Sequence, residues 1–107
     1  MLPFVSLDAV GSTGAGESHD FETAVRDMTM IATCTGSPDS AVVQLQGSHD
    51  NESWIGFSSV TLSGVSTVAT TTALHWIRYV RANLTTLSGG SSPTVTATIL
   101  ADFADEE

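Results

Sequence analysis

The sequence predicts an all-β protein: an antiparallel β-sandwich of jelly-roll or discoidin-like type, with a flexible Gly/Ser-rich arm at its N-terminus. Three observations carry that expectation. Ser and Thr make up about a quarter of the 107 residues, and the Thr mixes with Val and Ile in short runs. Such β-branched side chains lose rotamer freedom in helices but pack well on a pleated surface. Short stretches alternate with a period of two and are separated by turn clusters at regular spacing. No segment sustains a capped apolar period of 3.6 residues, so helices are at most short turns.

Phe4 to Val10 alternates well enough for a first strand. The small, polar stretch from Gly11 to Ser18 reads as a mobile loop or extended arm, and Phe21 to Val25 as a short strand. From Met28 to Thr35, Met28, Met30, Ala32 and Cys34 share one face, and Thr29, Ile31, Thr33 and Thr35 the other. The Gly36–Ser40 turn and the strand from Ala41 to Ser48, with Val43 and Leu45 inward, complete an expected hairpin. A second turn, His49 to Ser53, precedes a strand from Trp54 to Ser59; shorter strands, Val60 to Ser63 and Val65 to Thr71, flank Gly64. Leu74 to Thr85 is long, and Arg78 shares the parity of Trp76, Val80, Ala82 and Leu84, which predicts a bulge or a strand end before it. After the Gly89-Gly90 turn, Thr94 to Ala101 alternates cleanly. Residues 1–20 therefore read as strand and arm, 21–101 as the sandwich, and 102–107 as a solvated acidic tail.

A chain of this length forms one domain and can bury roughly two thirds of the surface it exposes unfolded, so it needs no disulfide or metal for stability. The formal net charge is -9, with Arg26, Arg78 and Arg81 as the only strong cations. Nucleic-acid binding and attraction to anionic membranes both draw on Lys and Arg, so neither is expected. The charge suits a basic or mixed partner surface, or simply keeps a weakly charged domain soluble. Met1 to Val5 lacks a signal-peptide pattern, which predicts synthesis in the cytoplasm and no glycan at Asn51-Glu52-Ser53 or Asn83-Leu84-Thr85.

Candidate chemistry is sparse. The lone Cys34 sits among small and apolar residues and reads as an inert core side chain. His19, His49 and His75 have no metal-ligand spacing, and Gly11, Gly14 and Gly16 lack the βαβ setting of a phosphate loop. No serine lies in a nucleophile elbow. The expectation is no enzyme, cofactor or metal. Trp54, Phe57, Trp76 and Tyr79 could stack on sugars or anchor an interface, but core or edge packing is the favoured account of Trp54 and Trp76. With so few cations, Arg78 and Arg81 are each expected to pair with a carboxylate, within the fold or across an interface.

Val43-Gln44-Leu45-Gln46-Gly47-Ser48-His49-Asp50-Asn51-Glu52-Ser53-Trp54 is close to a recurrent LxGSxDGxxW hairpin. Together with Arg78 to Thr85, Gly89-Gly90 and Thr94 to Ala97, it resembles small β-sandwich virion proteins of tailed bacteriophages. Asn51 stands at the usual turn glycine and also tolerates a left-handed backbone. The resemblance covers about the last two thirds of the chain. It implies a capsid decoration (cement) protein that binds the major capsid protein on the outside of the virion. The alternative it implies is a head or tail accessory module that binds host-surface carbohydrate. A trimer or a lattice-imposed arrangement is compatible with either. Leu2, Phe4, Val5, Trp54, Arg78 and Arg81 are the expected partner-binding residues, with the arm (about residues 1–20) and one sandwich edge making the contact.

Overall fold

The computed structural model describes residues 4–103, without the side chains of residues 23–26, 71–76 and 101–103. Leu2, residues 104–107 and the side chains of Arg26, His75 and Trp76 therefore lie outside the described residues.

Seven strands follow one another: β1 (Phe4–Val10), β2 (Gly14–Ala15), β3 (His19–Thr35), β4 (Ser40–Ser48), β5 (Trp54–Leu62), β6 (Ser66–Ser88) and β7 (Thr94–Phe103). All pair antiparallel, along the path β1-β7-β3-β6-β4-β5 with β2 joined to β6. The path folds into a sandwich because β6 serves both layers. Its first half pairs with β3, from Cys34↔Ser66 to Val25↔Ile77, and its second half with β4, from Ser48↔Tyr79 to Ser40↔Ser88. The first sheet is thus β1-β7-β3-β6, and the second is β5-β4-β6, edged by β2 and the start of β3.

Alternation builds the core between the layers. Met28, Met30, Ala32 and Cys34 on β3 and Val95, Ala97 and Ile99 on β7 face Ala41, Val43 and Leu45 on β4 and Val80, Ala82 and Leu84 on β6, all of them buried. The Cys34 thiol is fully buried and donates to the Gly64 carbonyl at 2.8 Å. On β6 both Ile77 and Val80 are buried, so the side-chain parity flips across Arg78. The irregularity predicted from Arg78 lies where the strand passes from one sheet to the other.

Three local expectations change. The predicted β3–β4 hairpin does not form, because β6 and β7 occupy both edges of β3. The Gly36–Asp39 turn instead carries the chain between sheets. It is held by Ser91 N–H donating to the Gly36 carbonyl and Gly64 N–H donating to the Pro38 carbonyl. The short strands expected at 60–71 are the end of β5 and the start of β6, and the short strand expected at 21–25 is the front of β3. The Gly-rich segment read as a mobile loop or arm is pinned to the sandwich: Gly14 and Ala15 pair with Leu84 and Asn83, and Gly16 N–H donates to the Ala82 carbonyl.

Candidate partner-binding site

On the outer face of the second sheet, cross-strand register brings together residues far apart in sequence. Gln46 on β4 lies opposite Gly56 on β5 and Arg81 on β6, and Ser48 lies opposite Trp54 and Tyr79. The Arg81 guanidinium rests over the Trp54 ring at 4.1 Å from its centroid. Arg81 Nε donates to Gln46 Oε1 at 2.8 Å, and Gln46 Nε2 donates to Gln44 Oε1 at 2.8 Å. The Gln44 amide lies where a side chain on residue 56 would point; a Cβ on Gly56 would collide with it. Trp54, Arg81, Gln46 and Gln44 thus form a continuous strip in which each group orients the next. Burial lowers the pKa of Arg81, yet no carboxylate pairs with it among the described residues.

Arg78 is committed differently. It forms a forked pair with Asp20, Nε to Oδ1 at 2.6 Å and Nη2 to Oδ2 at 2.9 Å. That hydrogen-bonded pairing holds the Asp20 carboxyl at about 2 and raises the arginine's pKa. It clamps the start of β3 to the β6 bend and also places the guanidinium 5.2 Å from the Tyr79 centroid. Of the two arginines expected to find carboxylates, one finds it within the fold.

The remaining expected residues separate from this strip. Phe4 stacks on His19 at 4.8 Å, and both rings meet Phe21 edge-on, so Phe4 closes one rim of the core. Val5 is 47% exposed and lines a cleft of about 600 Å³ between β1 and residues 15–17. The outer face of the first sheet is a second, chemically different surface. Thr33 and Thr67 hydroxyls meet at 3.1 Å and those of Thr35 and Thr94 at 2.6 Å, while Ile31 and Leu100 are exposed beside them. Gln44, Gln46 and Gly56 were not anticipated as site residues. Their signal was the outward parity of the two glutamines, which sequence alone reads as solvated surface.

No protein-family model matches the chain, and no curated protein matches it in sequence. Among solved structures, it is similar to the crystal structure of SPBc2 prophage-derived protein YomS. The two superpose with a TM-score of 0.63 at 14% identity, over 94% of this chain and 92% of the other. At that identity the likeness establishes a shared sandwich fold over nearly the full length of both chains.

Proposed function

We propose that this protein is a structural component of a tailed-phage virion, a decoration protein that docks on the major capsid protein lattice from outside and stabilises the head. The observation that carries the reading is the fold shared end to end with a prophage-derived protein. The sequence resemblance of the β4–β5 hairpin to phage virion sandwiches points the same way. A decoration protein stabilises a shell by binding the assembled state and not its free subunits. Repetition over a lattice lets individually weak contacts suffice.

Docking through residues 1–20 loses support, because residues 14–17 already satisfy hydrogen bonds of their own domain. The outer faces and the edge of β5, which has no second partner strand among the described residues, are better placed, since an open strand edge can accept a neighbour on the lattice or a second copy. The saccharide alternative needs a free aromatic face, and Arg81 covers one face of Trp54.

Purified protein mixed with mature capsids of the encoding phage should co-sediment in a saturating, stoichiometric ratio. Failure to co-sediment, together with absence from purified virions, would remove the capsid reading.

A further inference from the structure

We propose that the Arg81–Trp54 strip is a carboxylate-binding site, and that its occupant is an acidic side chain on the protein partner. That the partner is a capsid protein rests on the reading above; the carboxylate chemistry does not.

A chain with 12 acidic residues and three arginines has ample means to pair every cation internally. Arg78 does so with Asp20, whereas Arg81, three positions on, is partly withdrawn from water with no carboxylate beside it among the described residues. A cation in that position gains most from a counter-charge supplied from outside. Its geometry is prepared for one. The guanidinium lies over the Trp54 ring, and Gln46, itself held by Gln44, fixes Nε. The terminal N–H groups have no partner among the described residues, and a planar fork held this way loses little freedom on binding. Arg and Trp are also the residue types that dominate interface energetics. Among the described residues, the Thr-lined face of the other sheet shows hydroxyls and apolar side chains and no charged donor.

The net charge of -9 repels a purely acidic ligand at long range. A suitable probe is therefore the peptide Lys-Gly-Glu-Gly-Lys, with Lys-Gly-Gln-Gly-Lys as its neutral-centre control. NMR titration of the full chain at low ionic strength follows the Trp54 indole N–H and the Arg81 Nε–H. The Glu peptide should give saturable shifts confined to the strip, and the Gln peptide should bind about tenfold more weakly. Arg81→Gln should lose about tenfold in affinity, and Arg81→Lys, which keeps charge but not the fork, should fall several-fold. Dispersed amide spectra of both variants check that they fold.

Equal affinity for the two peptides, no saturable shift, or undiminished binding by a folded Arg81→Gln would overturn the site. Tighter binding of trigalacturonate than of the Glu peptide would also overturn it, in favour of an acidic saccharide. The two readings fail separately. Peptide binding without capsid binding upholds the site and removes the capsid; capsid binding without a peptide shift removes the site alone.

Discussion

Asn51 shows how one backbone angle constrains one residue. Its φ is 63°, in the left-handed region that Asn and Gly enter and β-branched residues resist. Asn51→Gly should leave the melting temperature nearly unchanged, whereas Asn51→Val should cost about 1–2 kcal/mol in denaturant unfolding. Its neighbour Asp50 holds the rest of the turn, accepting from Ser53 N–H at 2.8 Å, Glu52 N–H at 2.9 Å and the Ser48 hydroxyl at 2.9 Å. Those bonds, led by the Ser53 amide, hold the carboxyl at about 2 against an ordinary 3.8. A depressed folded-state pKa means that the stabilisation is complete above the unfolded value and is lost as pH falls through the folded one. The gap in melting temperature between wild type and Asp50→Asn should thus be constant above pH ~5 and close toward pH ~2. A gap that widens on acidification would contradict this assignment. At this scale the sequence was informative about Asn51, since a turn residue declares its own conformation. It was silent about whether Arg81 pairs internally, because the carboxylate that answers the question for Arg78, Asp20, lies 58 residues away.

Elements were legible where alternation is strong, and their neighbours were not. The Val43/Leu45 and Val95/Ala97/Ile99 patterns mark β4 and β7, and all five side chains are fully buried. The turn after Thr35 was equally visible, but turn chemistry says only that the chain reverses. Whether it returns beside the same strand depends on which strands have already taken both edges. Ser6 was missed for a related reason, as a small hydroxyl inside an alternating run looks like any solvated position. In the structure it is buried; its Oγ donates to the Glu17 carbonyl at 2.7 Å and accepts from Ala82 N–H at 2.8 Å. That one hydroxyl ties β1, the Gly-rich segment and β6 together. Ser6→Ala leaves a buried Ala82 amide without its acceptor and should cost about 1–3 kcal/mol. Hydrogen exchange should quicken at Gly16 and Glu17 well before the β3 core. Gly16→Ala should loosen the same segment, because its Cβ would overlap the Ser6 carbonyl. Met30→Ala, at the centre of β3, should cost about 2–5 kcal/mol and loosen both sheets together.

For the whole molecule, composition and period were enough to indicate a sandwich, and the shared fold with a prophage-derived protein agrees with it. The long β6 was not legible as one element. Its parity breaks at Arg78, and a chain that changes sheets without a turn looks in sequence like two strands. The same bend separates Arg78 from Arg81, leaving one as a clamp within the fold and the other on an outer face with no carboxylate beside it among the described residues. The central claim, that this sandwich decorates the outside of a phage head, is open to direct imaging. An electron-microscopy reconstruction of virions carrying the tagged protein should show it at regular sites on the outer capsid surface, with the Arg81–Trp54 face turned toward the shell. Particles that lack the protein, or carry it only on the tail, would contradict the claim.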